Sequence, residues 1–551
     1  MAQTFDKHRD PLEGALELTV DQKRELESFL AIRVEDALAQ KKPQEAEWQQ
    51  ALRDYEAIPK KLKKDFPIED PPNIVVPLGA IACDSLYAQS VDTMFNVSPF
   101  VTVRMVPKGT EEEKKEQVQV GKDMQSFINW GCINEWDLPH AGDDMLIDDT
   151  QLGTGVLYVP WIEKIKKTKT AKVVQFGPKI RCLPPEDLVV WGCTSGNLQE
   201  AEGVALRFWL TKQEMQDRAK YLKWDIEEIQ PSPADGGWLR YQREILGNQK
   251  EIMELKGEFF ETFDIYLHYD VDGDGLAEDL LIVWDRGSRR VLKCSYNPYD
   301  YRPLAISVFQ KRPHLIFGIG VMKMLKNLQD AATDVMNYTT LNMLLVNCRH
   351  YKGREGAFPA GDNVKINPFK ITFMDDPKTD LVADVMADVY PSSYQTISTL
   401  LSFAERRTGV NEMSNPRPSA VMGSRTPGIT ALTMMQQVNR RFTPAFKSMR
   451  DAFRDAIKQV LYRYKERLLA GEKRVEEHLI QVMGGEAGIR LAQFMAREDF
   501  DEHFDMELTA TSAFTNKEAE RQNAMMLVSI LTSYYQRTME LVMVAANPQT
   551  P

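Results

Sequence analysis

The residues best placed to do chemistry are four carboxylates in one short stretch. Asp270-Val-Asp272-Gly-Asp274-Gly275 sets acids at alternate positions with glycines between them, and Glu278 follows at the ninth position. Carboxylates so spaced converge on a hard cation when glycine lets the chain turn sharply, as in the first half of a calcium loop. The twelfth position, where an EF-hand carries a bidentate Glu, is Leu281. The flanks, FDIYLHY and LLIVW, read as strands rather than helices. An EF-hand is therefore excluded. A Ca2+ or Mg2+ site on Asp270, Asp272, Asp274 and Glu278 stands beside a plainer reading, a hairpin turn of residues that tolerate left-handed backbone. The fold itself requires no cofactor on this reading.

Other candidates carry less. Gly423-Ser-Arg-Thr-Pro-Gly428-Ile429-Thr430 has the glycine and threonine spacing of a phosphate loop, but Ile429 stands where the phosphate-binding lysine is needed. Gly318-Ile-Gly320 lacks the third glycine of a dinucleotide fingerprint, because position 323 is Lys. Seven histidines form no ligand pair at metal-binding spacing, and no Gly-x-Ser-x-Gly elbow occurs. These absences argue against an enzyme, although a calcium-dependent enzyme built on the 270–278 turn is kept as an alternative. Arg417 and Arg425 sit in a Pro-, Gly- and Ser-rich loop, where a guanidinium either touches a phosphate backbone or is simply solvated.

The elements that must carry these residues are helical at both ends and β-rich between. With 551 residues, several packed regions are expected. Net charge is −12, which disfavours static binding to DNA, since phosphate neutralisation needs clustered Lys and Arg. Six cysteines without a Cys-x-x-Cys pair suit a reducing compartment, and no apolar run is long enough to span a bilayer. The spacing predicts a capped helix from Thr19 to about Gln40, a break at Pro43, and a second helix over Glu45–Ala57. Helices are predicted over Pro77–Asn96, Glu111–Trp130 and Leu138–Thr150, with a strand at Phe100–Val106. From Gly153 to Lys311 the pattern is one of short strands, interrupted by a helix over Thr211–Trp224. Lys-rich EKIKKTKTAK (163–172) reads as a solvated hairpin.

Gly320–Asn347 then forms a long helix, about 42 Å at 1.5 Å per residue. Its second half, Val335–Cys348, carries no charge. A helix that offers water no charged face is expected to pack on several sides, against neighbouring subunits or inside one large domain. Short strands are predicted at Val364–Ile366 and Ile371–Met374, and a further helix at Ser392–Arg407. A very long helix over Thr430–Ala470, kinked at Pro444, follows, with more helices and a strand at Phe504–Ala510 beyond.

The serial order of these features is more specific than any one of them. Gly153-Thr-Gly-Val-Leu-Tyr-Val, Leu183-Pro-Pro-Glu-Asp-Leu and Phe208-Trp-Leu-Thr-Lys-Gln-Glu-Met come first. Asp270–Asp279, Tyr301-Arg-Pro, Gly318-Ile-Gly320 with Leu328-Gln329, and Gly428-Ile-Thr430-Ala431 follow. The series resembles the portal (head-to-tail connector) proteins of tailed bacteriophages, the short-tailed type in particular. The resemblance implies an α+β ring subunit with a β-rich wing, a helical stem, a small α/β clip and a helical crown. It divides the chain into an N-terminal helical segment (1–59), the wing (60–318), a stem helix (319–347) and the clip (348–390). A second stem helix (391–410), a tunnel loop (411–428), a long wing helix (429–470) and the crown (471–551) complete it. It implies a structural protein of the virion, assembled in host cytoplasm and forming a ring, a dodecamer by family habit, at one capsid vertex. Double-stranded DNA would be packaged and ejected through the channel, with Arg417 and Arg425 in the tunnel loop facing it. Terminase large subunit, scaffold and major capsid proteins and a tail adaptor are the implied partners, with no membrane. A capsid or tail scaffold without a tunnel is the other alternative.

Overall fold

In a computed structural model, the described residues are 18–60, 71–95, 99–105, 111–167, 171–226, 259–297, 301–347, 350–353, 381–384, 391–409, 442–497 and 504–508, with isolated positions elsewhere. Three all-antiparallel layers organise the middle of the chain. A five-stranded sheet runs in the order β10 (Arg290–Tyr296), β9 (Glu278–Asp285), β8 (Phe259–Tyr269), β7 (Gly203–Thr211), β6 (Leu188–Trp191). A three-stranded sheet places β2 (Thr154–Tyr158) between β11 (Leu304–Val308) and β5 (Arg181–Leu183). A separate hairpin pairs β3 (Trp161–Lys167) with β4 (Ala171–Pro178), where the lysine-rich hairpin was expected.

The period-2 alternation of β8 explains the layering. Phe263, Ile265 and Leu267 point to one face of the large sheet, and Tyr266 to the other. On the first face they meet Leu26, Leu30, Val34, Ala37 and Leu38 of α1 (Val20–Tyr55). On the second, Val204, Leu206 and Tyr266 meet Val156, Leu183 and Leu304 of the small sheet.

α1 is one helix, not two. Thr19 and Gln22 form the expected capping box, but the chain does not break at Pro43. The proline costs one intrahelical bond, and burial on either side of it outweighs that loss. Residues 26–38 are held by the sheet, while Trp48 and Ala51 enter the central core.

That core is helical. α8 (Thr443–Leu469) runs through it with Met449, Phe453, Ile457, Val460 and Tyr464 fully buried, one apolar face at helical spacing. Around it lie α2 (Leu78–Phe95), α3 (Glu111–Asn134) and α4 (Leu138–Leu152). Pro444 does not kink α8, because it sits in the helix's first turn, where its missing N–H is not needed. Residues 410–441 lie outside the described residues. α5 (Lys212–Leu222) is the helix expected over Thr211–Trp224, and a Thr211–Glu214 capping box starts it. α9 (Lys473–Met483) and α10 (Gly485–Met495) pack on α3 and α8, and β14 (Phe504–Leu508) pairs with β1 (Val101–Met105).

α6 (Val321–Asn347) and α7 (Pro391–Thr408) leave this core together. Val321, Met322 and Leu325 at the start of α6 share the core with Ala404 near the end of α7. Between their far ends, β12 (His350–Gly353) pairs antiparallel with β13 (Leu381–Asp384). The two helices are thus an antiparallel hairpin. The strands predicted at 364–366 and 371–374 fall outside the described residues.

The end of α4, the small sheet and the start of α6 meet at two glycine motifs. Gly153 has φ +89°, and a Cβ there would lie 2.2 Å from the Gly320 nitrogen. A Cβ on Gly320 would lie 2.2 Å from the Gln151 carbonyl oxygen, and one on Gly318 would lie 2.4 Å from that of Gly153. The Gly318-Ile-Gly320 motif is therefore a backbone-on-backbone junction, as its position between strand and helix suggested, and not a nucleotide loop.

Candidate functional site

The acidic turn joins β8 to β9 beyond the pair Tyr269–Glu278. Asp270 accepts from the Gly273 and Gly275 nitrogens at 2.6 and 2.8 Å. Asp272 accepts from Asp274 N at 3.1 Å, Asp274 from Leu276 N at 2.7 Å, and Glu278 from Val271 N at 2.9 Å. Gly273 and Gly275 take φ of +78° and +90°, so the glycines are where left-handed backbone is required. One carboxylate oxygen from each of Asp270, Asp272, Asp274 and Glu278 lies within 4.8 Å of the others. The turn thus uses its acids as scaffolding and also converges them. Leu281, the absent twelfth ligand, packs against the face between the two sheets.

A second polar constellation, which sequence reading missed, lies beneath the large sheet. Lys41 of α1 is buried, and its Nζ donates to the carbonyls of Pro185, Glu186 and Leu188 at 2.8, 2.7 and 2.5 Å. Arg207 donates to Asp187 at 3.0 Å and to the Glu186 carbonyl at 2.7 Å. Arg286 bridges Glu35 of α1 and Glu261 of β8. Burial drives the Glu186 carboxyl up and the Lys41 ammonium down from their ordinary values. Burial likewise raises the carboxyls of Asp148 and Asp149 in α4 to about 7, against hydrogen bonds from Cys182 and Ser307 respectively. The contacts of these groups tie α1 and α4 to the sheets. The only signal in the sequence was the Leu183-Pro-Pro-Glu-Asp-Leu turn, whose carbonyls are the acceptors.

The α6–α7 hairpin has a buried base, and beyond it several apolar side chains face outward. Tyr338 is 64 % exposed and Tyr394 60 %, and Met336, Met343, Leu344 and Phe403 are also exposed. Burial inside one large domain, the plainer expectation for the uncharged half of α6, is therefore not what this chain does with it. A strap of extended chain, residues 71–77, runs along one side of α6. Gln329, Thr333 and Asn337 stand one turn apart and bond the backbone of the strap and of the first turn of α2 that follows it. Gly79 N donates to Gln329 at 2.8 Å, Val76 N to Thr333 at 3.1 Å and Ile74 N to Asn337 at 2.8 Å. Asn337 Nδ2 returns a bond to the Ile74 carbonyl at 3.0 Å. Beside the strap opens a cleft of about 450 Å3, lined by Asp54, Lys60, Pro72, Asp330, Asp334 and Tyr338 among others.

Arg417, Arg425 and the loop around Gly423–Thr430 lie outside the described residues. Among the described residues no helix is long and apolar enough to cross a membrane. A family model described as Phage SU10 portal protein matches residues 163–549. No curated protein matches the chain.

Proposed function

We propose, for a chain that belongs to the phage SU10 portal protein family, that α6 and α7 are the stem of a ring of identical subunits, and that the ring is a channel for double-stranded DNA. The family is structural, and the α+β architecture fits it. One observation carries the reading: a helical hairpin rooted in the core exposes Met336, Tyr338, Met343, Leu344, Tyr394 and Phe403 along its length. A run of exposed apolar side chains on rigid helices marks an interaction surface. Repeating it around an axis buries it between neighbours.

On this reading the wing is 60–318 with 429–470, the clip 348–390, and the crown 471–551. The loop 411–428 presents Arg417 and Arg425 to DNA. The ring stands at one capsid vertex among scaffold and major capsid proteins, docks terminase and later a tail adaptor, and its subunits are made in host cytoplasm. An acidic subunit lets DNA slide with little adhesion. Purified protein is expected to give closed rings with a central hole in end-on negative-stain views. Met343→Asp combined with Leu344→Asp should reduce the ring fraction at least tenfold in sedimentation, with the circular dichroism unchanged. A chain that stays monomeric at high concentration and moderate salt refutes the ring, and particles without a hole favour a scaffold without a tunnel.

For the 270–278 turn we propose a subsidiary role as a Ca2+ or Mg2+ site, supported by the convergence of its four carboxylates. Millimolar Ca2+ should then raise the unfolding midpoint, and Asp272→Asn should remove that rise while leaving the midpoint in chelator unchanged. Identical midpoints with Ca2+ and with chelator would assign the acids to the turn alone.

A further inference from the structure

We infer that the acidic cleft beside the strap receives the basic end of α7 from a neighbouring copy of the chain. This rests on the ring reading and names the contact that would close it. A ring interface is heterologous, so each subunit must present two different patches that fit each other. The α6–α7 hairpin carries two such patches on opposite flanks.

One flank is on α6. Ala332 and Thr339 are buried, and α7 is the element packed along the outer part of α6. At 100° per residue, Asp334 stands about 140° around the helix from Thr339, on the flank away from α7. Asp330, Tyr338 and Leu341 share that flank and line the cleft with it. The cleft holds three carboxylates, Asp54, Asp330 and Asp334, against Lys60, which is bonded to Asp330 at 2.8 Å. Lys326 acts on Asp54 from nearby. Asp334 is exposed, and its charge acts on Lys60 from beyond the Lys60–Asp330 pair.

The other flank is on α7. Ser393, Ile397, Leu400, Ala404 and Thr408 are the less exposed positions, and their spacing marks the side turned to α6. Arg406 lies about 160° from Ala404, facing away. It is exposed, as are Arg407 and Phe403 beside it. A guanidinium has five N–H donors, so bonds within its own subunit leave donors for a neighbour.

Ala404 of α7 shares the core with Val321, Met322 and Leu325 of α6, so Arg406 stands near the root of the hairpin, and the Asp330–Asp334 turn begins about 8 Å farther along α6 from Leu325. Rotation about a ring axis preserves height, so helices inclined to that axis bring Arg406 of one copy towards the Asp330–Asp334 turn of the next, and the long arginine side chain spans the remaining offset. Tyr338 and Phe403 would flank the charges and shield them from water.

Charge reversal with mixing tests this. Asp334→Lys alone, or Arg406→Glu with Arg407→Glu, should each raise the protein concentration needed for half-assembly about tenfold in native mass spectrometry. An equimolar mixture of the two variants should assemble like the wild type, because alternating copies restore opposite charges at every interface. As an independent arm, Asp334→Cys with Arg406→Cys should give a ladder of disulfide-linked multimers under oxidation, absent from either single variant. Rings that form with unchanged affinity in both reversals and yield no ladder overturn the inference but leave the ring intact. A wild-type chain that never assembles overturns the ring reading itself. A mixture that stays dissociated while wild-type rings form places the Arg406 contact elsewhere and also overturns the inference.

Discussion

Gly153→Ala and Gly320→Ala are each expected to destabilise the subunit by about 3–5 kcal/mol, the range reserved for named, severe mechanisms. In both cases the new methyl meets backbone. At Gly153 it would fall 2.2 Å from Gly320 N, and at Gly320 the same distance from the Gln151 carbonyl oxygen. A flexible side chain can move aside, whereas these backbone atoms belong to segments that hydrogen bonds hold beside the clash. Phe309 N donates to the Gly153 carbonyl at 3.2 Å, and Gly318 N to the Thr154 hydroxyl at 3.0 Å. Moving either strand breaks the register of β11 with β2, so the clash cannot be relieved locally. Gly153 adds the strain of a left-handed backbone, roughly 1–2 kcal/mol for a residue with Cβ. Gly485→Ala is the control. It sits at the start of α10 with nothing within 4 Å of a Cβ, and should be neutral or stabilising by up to about 1 kcal/mol. Urea unfolding of the three variants checks the ranking. Equal midpoints for Gly320→Ala and Gly485→Ala would show that the junction has slack that its geometry denies.

Lys41→Met should cost about 3–5 kcal/mol, the usual consequence of removing one partner from a buried charged network. The methionine fills similar space but donates nothing. Three carbonyls, of Pro185, Glu186 and Leu188, lose their donor, and each buried acceptor left unmade carries a desolvation penalty of about 1–3 kcal/mol, partly relieved by relaxation. Glu45, Glu186 and Asp187 also lose a nearby positive charge. The damage should be directional, loosening α1 from the sheet, so a protease should cut within residues 20–55 at lower denaturant than in the wild type. Lys323→Ala removes the half-exposed pair with Glu47 and should change stability by no more than about 1 kcal/mol. A Lys41→Met loss as small as that of Lys323→Ala would mean that α1 is held by its apolar face alone.

The sequence carried much of this architecture because its strongest signals are local. The capping box at Thr19 and the short apolar runs of β6, β7 and β9 each encode their element within a dozen residues. Pro43 misled because its effect depends on residues far away, the sheet on one side and Trp48's pocket on the other. The acidic turn was legible as a turn between two strands, since Asx and glycine turns are short-range. The Lys41 hub was not, because nothing near a lysine in a charged helix says that three carbonyls more than 140 residues later will surround it. The polar ladder of Gln329, Thr333 and Asn337 left a faint mark, three amide or hydroxyl side chains four residues apart, but the strap they hold is over 250 residues upstream.

That strap has a bearing on when the subunit becomes itself during synthesis. Ile74 waits for Asn337, β2 waits for β11, Trp48 waits for the ring of Phe317, and the central core waits for α8, which leaves the ribosome only after residue 469. Such distant closures are slow and leave early segments without their partners. A nascent chain therefore has no finished face to offer a neighbour until most of it has been translated. A polypeptide cut short before α8 lacks the axle of its own interior and would be cleared as an unfolded chain.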